Sequence, residues 1–193
     1  MSLGKTDIYL LDQIMKGRYQ ATDRILDAGC GEGRNMHWFL QKDMEITGID
    51  QNEEVINSLK INNASLPESR LQVSLLDKMP FADNYFDHII CSAVLHFASS
   101  TNHFRTMLKE IVRITRIHGS IFIRMAANIC IEDKVIPLGD GVYAIPDGSN
   151  RFLLTKTLLA ACMKEFNLSF LEPLKTVNVD DIRCMSTLVL QKN

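Results

Sequence analysis

The sequence lacks the features that mark membrane, secreted and metal-bound proteins. No apolar run approaches the roughly 20 residues that a membrane-spanning helix needs, and the amino terminus shows no signal-peptide pattern. The five cysteines are odd in number and form no CxxC pair, which argues against a disulfide framework or a zinc site. We therefore expect a cytoplasmic protein without a bound metal.

An excess of charge of either sign is also missing. The formal net charge is −2 over 193 residues, so no overall field attracts nucleic acid or an anionic membrane surface. Internal repeats and low-complexity segments are absent as well. The length suits one domain. We predict a single domain over residues 1–193 that binds neither nucleic acid nor membrane, and the oligomeric state stays open.

What the sequence has is an alternation of strand-type and helix-type segments. Strands are predicted at 24–28, 45–50, 71–76, 86–92 and 120–125, and helices at 7–17, 33–42, from 52 onward, 103–116 and 155–166. Thr6 and Asn52 are predicted to cap two of these helices, and Gly119 to end a third. Such alternation predicts an α/β fold with a parallel sheet covered on both faces. Two last strands, near 169–177 and 185–191, are joined too closely for a helical crossover and predict an antiparallel pair.

A glycine-rich loop follows the first strand. Gly29, Gly31 and Gly33 stand between that strand and the next helix, where a missing Cβ lets the backbone turn tightly and approach a ligand. Asp50 ends the second strand, and a carboxylate there can accept both hydroxyls of an adenosine ribose. The pattern predicts an adenosine-containing ligand, with a turn that binds nothing as the alternative.

The spacing of the loop separates classes of nucleotide. A dinucleotide loop reads G-x-G-x-x-G, but Arg34 stands where its third glycine would be, and the loop reads G-x-G-x-G after Asp27. The carboxylate of Asp27 would repel a pyrophosphate and attract the ammonium and sulfonium groups of S-adenosylmethionine. A nicotinamide-dependent oxidoreductase is therefore the less favoured alternative.

With these motifs the chain resembles the class I S-adenosylmethionine-dependent methyltransferases. The family's glycine loop matches residues 27–33, its ribose carboxylate matches Asp50, its adenine-contacting acid matches Asp77, and its following strand matches residues 86–92. The resemblance implies a Rossmann-like, doubly wound, seven-stranded and mostly parallel sheet of order 3-2-1-4-5-7-6 with an antiparallel last strand. It also implies S-adenosylmethionine as cofactor. We expect a small-molecule methyl acceptor, because the chain carries no basic patch for nucleic acid. Residues 33–35 look like those of the tellurite-resistance-type subgroup.

The cofactor-binding residues follow from the motifs and the resemblance together. They are Asp27, Gly29, Gly31, Gly33, Asp50, Gln51, Leu76, Asp77 and Ser92. Structural roles remain open for the three acids: Asp50 as a helix cap, Asp77 as the start of a turn, and Asp27 as a holder of the loop through backbone N–H groups. A non-catalytic S-adenosylmethionine-binding protein also stays an alternative.

Two residues are predicted to act on the acceptor. His96 follows the fourth strand, where loops face the transferred methyl group in this family, and a neutral imidazole can take a proton from the acceptor. Arg124 lies in an apolar strand, so its charge needs either a substrate anion or an internal acid as partner. A structural histidine is the alternative for His96, and a helix-cap role is favoured for His103.

Residues 126–152 differ from the rest of the chain. They hold two prolines and three glycines, yet apolar residues persist among them. We predict an irregular insertion that forms much of the acceptor pocket. Cys91–Val94 stand where amino-methylating nucleic-acid enzymes often carry Asn/Asp-Pro-Pro-Tyr/Phe, which further disfavours a nucleic-acid substrate.

Overall fold

A long twisted sheet with helices on both faces forms the centre of the molecule. The computed structural model describes residues 4–193. The strands are β1 (Arg24–Ala28), β2 (Glu45–Asp50), β3 (Leu71–Val73), β4 (Phe86–Ser92), β5 (Thr115–Ala126), β6 (Ile136–Gly139), β7 (Val142–Ala144), β8 (Asn150–Phe152), β9 (Leu168–Phe170), β10 (Lys175–Val179) and β11 (Arg183–Lys192). The helices are α1 (Ile8–Met15), α2 (His37–Leu40), α3 (Glu53–Asn62), α4 (Thr101–Ile114) and α5 (Lys156–Glu165).

The order of the strands confirms the predicted fold class. The main sheet runs β10-β11-β5-β4-β1-β2-β3, and β9 also pairs with β11. Strands β1 to β5 are parallel, whereas β11 is antiparallel to β5, β9 and β10. β9 and β10 lie one after the other along β11, so the sheet has seven positions. The break between them contains Pro173, which has no N–H for the ladder.

Side chains alternate between the two faces of the central strands and build two cores. Ile89 and Ile121 belong to the core beneath α4 and α5. Their chain neighbours Ile90 and Phe122 belong to the core beneath α1, α2 and α3. A parallel sheet that is buried on both faces needs apolar residues at consecutive positions, as these strands have. Because both cores lie on the faces of the sheet, the loops that follow the carboxyl ends of the strands lie outside them.

Gly119 does not end a helix, and that prediction is wrong. α4 ends at Ile114 and β5 begins at the next residue, so Gly119 lies inside a strand. The register of β4 against β5 shifts between Phe86 and His88, and a Cβ on Gly119 would lie 2.8 Å from the carbonyl oxygen of Asp87. The glycine is required by this close approach of two backbones, which helical periodicity does not reveal.

Other element boundaries differ from the predictions for local reasons. The helix predicted at 33–42 is a series of turns that ends in the short helix α2. The strand predicted at 71–76 stops at Val73. Asp7, and not Thr6, caps α1 by accepting a hydrogen bond from the N–H of Tyr9 at 2.9 Å. Asn52 caps α3 as predicted, accepting from the N–H of Glu54 at 3.0 Å.

The segment predicted as an irregular insertion contains a second, small sheet. β6, β7 and β8 are antiparallel and connected by tight turns, where Gly139, Gly141 and Gly148 adopt positive φ. This sheet is fastened to the start of α4 by a 3.0 Å hydrogen bond from the N–H of Thr101 to the carbonyl of Asp140. It follows β5 and therefore lies near the carboxyl edge of the main sheet. Among residues 4–193, no helix is both long and apolar enough to cross a membrane.

Candidate functional site

A cavity of about 630 Å³ lies at the carboxyl ends of β1, β2 and β4. Ligands of doubly wound sheets bind at this edge, where the strand order reverses. The residues that line it are Gly29, Gly31, Asp50, Gln51, Asn52, Val55, Leu75, Leu76, Asp77, Ala93, Val94, Phe97, His103 and Met107. Six of the predicted cofactor-binding residues are among them: Gly29, Gly31, Asp50, Gln51, Leu76 and Asp77.

The glycine loop forms one wall of this large cavity with bare backbone. Gly29 has φ 78°, and a Cβ there would lie 2.4 Å from Cγ2 of Val94. Gly31 has φ 51°, and a Cβ there would meet no atom within 4 Å. Both positions favour glycine because their φ lies in the left-handed region. At Gly31 the space next to the backbone is open to a ligand.

The carboxylate of Asp50 lies at the mouth of the loop. Its Oδ2 accepts a hydrogen bond of 2.9 Å from the N–H of Gly31, and its Oδ1 accepts one of 2.9 Å from the N–H of Asn52. Each carboxylate oxygen keeps a further lone pair. Asp50 can therefore hold the loop and still accept two hydroxyl groups, as a ribose diol requires.

Three predicted cofactor-binding residues do not line the large cavity: Asp27, Gly33 and Ser92. Asp27 is 1% exposed beneath the loop; burial raises the pKa of its carboxyl to about 7, although the charge of Arg34 opposes this. Its Oδ2 has no hydrogen-bond partner within residues 4–193. Gly33 packs against Leu59, where a Cβ would lie 2.9 Å from Cδ2.

Ser92 belongs to a buried polar cluster that fastens α1 to the end of β4. Its hydroxyl donates to Oδ2 of Asp7 at 3.2 Å and accepts from the guanidinium of Arg34 at 3.1 Å. Arg124 reaches the same carboxylate oxygen at 3.3 Å, and its guanidinium lies 5.2 Å from the ring centre of Tyr9. Arg34 thus makes a tertiary contact, and the internal acid that Arg124 needs is Asp7.

A second cavity of about 290 Å³ adjoins the first. It is lined by Ala93, His96, Arg124, Ala126, Ile145, Asp147, Arg151, Val179, Arg183 and Met185. Ala93 lines both cavities, and its backbone has φ 63°, a value that costs energy in a residue with a Cβ. Its N–H donates to the carbonyl of Arg124 at 2.7 Å, which fixes it between the ends of β4 and β5.

Both predicted acceptor-side residues, His96 and Arg124, line this small cavity rather than the large one. Nδ1 of His96 accepts a 3.3 Å hydrogen bond from the N–H of Ala126. Burial lowers the pKa of His96 to about 4, assisted by the charges of Arg151, Arg183 and Arg124. The ring is therefore neutral near pH 7 and carries its proton on Nε2, so it presents a hydrogen-bond donor.

The histidine that lines the large cavity is His103. Its Nδ1 accepts from the N–H of Ser99 at 3.2 Å, while the cap of α4 is the hydroxyl of Ser100. Some residues that line the large cavity were not predicted to do so but could have been found from the sequence: Asn52 and Val94 lie just after the ends of β2 and β4. Met107 could not, because on α4 it fits the pattern of an ordinary core residue. Within residues 4–193, no group of three or more His, Cys, Asp or Glu side chains is arranged to hold a metal ion.

Comparison with known proteins decides the family. A family model described as "Methyltransferase domain" matches residues 26–123, just over half of the chain. The chain belongs to this family. The matched region of the methyltransferase domain begins in β1 and ends in β5, so it includes the glycine loop, Asp50 and Asp77. The finer resemblance to the tellurite-resistance-type subgroup stays a prediction.

Individual relatives agree with this assignment. The chain is 26% identical over 119 residues to the uncharacterized methyltransferase YcgJ of Bacillus subtilis, covering 61% of this chain and 45% of that protein. It spans about half the length of most of the curated relatives it matches. The crystal structure of the PH0226 protein from Pyrococcus horikoshii superposes with a TM-score of 0.74 at 19% identity, covering 96% of this chain and 89% of the other.

A third comparison concerns the cofactor. The 1,6-didemethyltoxoflavin-N1-methyltransferase of Burkholderia thailandensis was solved with 1,6-didemethyltoxoflavin and S-adenosylhomocysteine bound. It matches with a TM-score of 0.67 at 18% identity and covers 94% of this chain and 74% of that one. The match to the methyltransferase domain and the fold shared with S-adenosylmethionine-dependent methyltransferases together support S-adenosylmethionine as the cofactor. The chemistry of the large cavity fits it, because bare backbone at Gly31 and the carboxylates of Asp50 and Asp77 lie in one space with apolar side chains such as Val55, Leu76 and Met107.

Proposed function

We propose that this chain transfers the methyl group of S-adenosylmethionine to a small-molecule acceptor. The observation that carries the proposal is the sharing of Ala93 by two cavities at the carboxyl edge of the sheet. The large cavity would hold the cofactor, and the small cavity would hold the acceptor. A cavity of about 290 Å³ suits a small molecule.

The cofactor-side roles follow from the geometry of the large cavity. Asp50 would accept the ribose hydroxyls, since it already orients its two oxygens through Gly31 and Asn52. Leu76 and Asp77 would lie against the adenine at the end of β3. Asp27 would attract the positively charged groups of the cofactor from beneath the loop. Its carboxyl group is buried there, and one of its oxygens has no hydrogen-bond partner within residues 4–193.

On the acceptor side, residues 126–152 supply Ala126, Ile145, Asp147 and Arg151 to the small cavity. This supports the predicted role of the segment in forming the acceptor pocket. Tyr143 is not among the residues that line the small cavity, and it packs against an apolar cluster that includes Ala126 and Ile145. The variant Arg151→Ala is therefore expected to raise the KM for the acceptor, and Tyr143→Ala serves as a comparison in the same sheet.

Methyl transfer requires the protein mainly to align the acceptor with the methyl group and to exclude water. When bound, S-adenosylmethionine supplies a methyl carbon on a positively charged sulfur, and the acceptor's bond to that carbon forms as the carbon–sulfur bond breaks with its electron pair remaining on sulfur. Val94, Phe97 and Met107 form an apolar wall of the large cavity and would keep water from it. Positioning two reactants in this way can supply much of the rate.

Neither cavity-lining histidine is oriented as a base. His96 and His103 each accept a backbone N–H at Nδ1, so on both rings the lone pair of Nδ1 is engaged and the ring N–H lies at Nε2. The acceptor would therefore arrive with an unprotonated nucleophile or release its proton to solvent after transfer. His96 would then help to bind the acceptor instead of deprotonating it.

The test combines binding and turnover. S-adenosylhomocysteine and NAD are titrated against the protein by calorimetry, and methyl-labelled S-adenosylmethionine is incubated with a panel of small metabolites and with RNA and protein extracts. We expect S-adenosylhomocysteine to bind and the label to enter a small molecule. Binding of NAD alone would favour an oxidoreductase, and binding of S-adenosylhomocysteine without any labelled product would favour a non-catalytic binder; either result contradicts the proposal.

A further inference from the structure

Three arginines from separate parts of the chain meet in the small cavity. Arg124 lies near the end of β5, Arg151 lies on β8, and Arg183 begins β11. The lining contains a single acidic residue, Asp147, whose carboxylate accepts hydrogen bonds from the N–H and the hydroxyl of Ser149 at 2.9 and 2.6 Å. The charged side chains of the cavity are thus three cations and one anion.

Most of this positive charge is not neutralised by ion pairs. Arg124 is paired with Asp7, but its Nε is buried and has no hydrogen-bond partner within residues 4–193. Arg151 and Arg183 form no ion pair with an acidic side chain in the same range. The guanidinium of Arg151 lies 4.9 Å from the ring centre of Phe97, which lines the large cavity, so Arg151 stands beside the boundary between the two spaces.

The pKa of His96 is lowered by the same positive charge. All three arginines contribute to the lowering of its pKa, after burial. Because its Nδ1 is taken by the N–H of Ala126, its Nε2 offers a further N–H donor. Guanidinium groups together with a fixed N–H donor are the usual means by which proteins bind carboxylate and phosphate oxygens.

We infer that the methyl acceptor carries an anionic group, a carboxylate or a phosphate, which Arg151, Arg183, Arg124 and the Nε2–H of His96 hold in the small cavity. This inference rests on the proposed function, since it describes the acceptor of that reaction. The anionic end would be anchored on the side of β8 and β11, and the nucleophilic end would extend past Ala93 toward the cofactor cavity. An acceptor without an anionic group would leave two unpaired arginines in the cavity.

The experiment uses two anionic probes, inorganic phosphate and acetate, on the full chain saturated with S-adenosylhomocysteine. Each probe is titrated at millimolar concentration and constant ionic strength while the backbone amide signal of Ala126 is followed by NMR. The variants are Arg151→Met and Arg183→Met, and the control is Lys109→Met, which removes the same charge from an exposed position on α4. Calorimetry with S-adenosylhomocysteine is run on every sample.

We expect at least one probe to shift the Ala126 signal with saturation, and the arginine variants to weaken that binding about tenfold, as loss of a charge-assisted hydrogen bond does. Lys109→Met should bind the probe like the unmodified chain. The better probe then identifies the acceptor's anionic group as phosphate or carboxylate. No saturable shift, or equal weakening in the lysine control, overturns the inference. Binding of S-adenosylhomocysteine in those samples, together with transfer of label from S-adenosylmethionine to a small metabolite by the unmodified chain, would show that the proposed function is not what failed.

Discussion

Oδ2 of Asp50 accepts a 2.9 Å hydrogen bond from the backbone N–H of Gly31. The end of β2 is thereby joined to the middle of the glycine loop, and the residue predicted to bind the ribose also sets the conformation of the loop. A change at Asp50 should consequently affect both cofactor affinity and loop order.

Asp50→Asn is the first prediction. The amide keeps one carbonyl oxygen but places an NH₂ group toward one of the two backbone N–H donors. We expect affinity for S-adenosylhomocysteine to fall by about 1.5–3 kcal/mol, the usual effect of losing hydrogen bonds to a charged group. Calorimetry measures this. Asp43→Asn is the control, because Asp43 is exposed and its φ of 55° is one that Asn adopts easily; an equal loss there would contradict the assignment.

Gly31→Ala tests two separate effects: backbone strain, which lowers stability, and obstruction of the cofactor cavity, which lowers ligand affinity. Its φ of 51° should cost about 1–2 kcal/mol of stability with a Cβ present. The added methyl group would meet no protein atom within 4 Å, yet it would enter the cofactor cavity. We expect a modest drop in melting temperature and a large loss of S-adenosylhomocysteine binding.

Gly17→Ala is the matched control for that change. Gly17 has φ 69°, and a Cβ there also meets nothing within 4 Å, but it does not line the cavity. Its melting temperature should fall similarly while cofactor affinity stays the same. If both alanine variants bound S-adenosylhomocysteine equally well, Gly31 would have no role at the ligand.

Asp27→Asn should change the pH dependence of stability. Burial raises the pKa of Asp27 from 3.8 to about 7 in the folded chain, so the folded state holds the proton more tightly than the unfolded one between these values. Stability therefore falls as pH rises through this window, by at most about 1.4 kcal/mol per pH unit, and levels off above it. The Asn variant lacks this contribution.

Urea unfolding from pH 4 to pH 8 measures the effect as the difference between the variant and the unmodified chain. Taking the difference is necessary because His96, whose pKa is lowered to about 4, acts in the opposite sense and makes stability rise with pH up to its unfolded value. A difference that does not vary with pH would show that Asp27 is ionised throughout.

Arg124→Met should destabilise the fold through Asp7. Asp7 is 5% exposed and would keep only the hydroxyl of Ser92, its cap contact and the more distant Arg34, at 3.9 Å. We expect a loss of about 3–5 kcal/mol, as for other broken buried ion pairs. A double-mutant cycle with Asp7→Asn measures the coupling by urea unfolding. Arg105→Met, which breaks an exposed pair with Glu165, should cost under about 1 kcal/mol.

Local patterns in the sequence were sufficient to predict the sheet and the glycine loop. The apolar runs around Ile89 and Ile121 identify strands that are buried on both faces, and Gly29, Gly31 and Asp50 lie at fixed places relative to those strands. Gly119 was assigned wrongly because its role depends on the carbonyl of Asp87, which a helix-cap rule does not consider.

Contacts between distant parts of the chain could not be read in this way. Asp7 and Ser92 are 85 positions apart, so the sequence did not indicate that the hydroxyl of Ser92 donates a hydrogen bond to the residue that caps α1. The small sheet of β6 to β8 was missed for a related reason: its strands are three or four residues long, too short to show a period among prolines and glycines. Nothing in the sequence indicated a role for Arg183 in a site, because its place in the small cavity with Arg151 depends on the position of β11 in the folded chain.

The backbone of Ala93 lies on the border of the two cavities that are proposed to hold the cofactor and the acceptor. Because this residue is held at φ 63° by its hydrogen bond to β5, its methyl group occupies a fixed place on the border of both cavities. Bulkier side chains are disfavoured there by the left-handed conformation, and they would extend into one cavity or the other. Under the proposed function, substitutions in β6–β8 are therefore expected to change acceptor preference, while a substitution at Ala93 would alter the border between the two cavities.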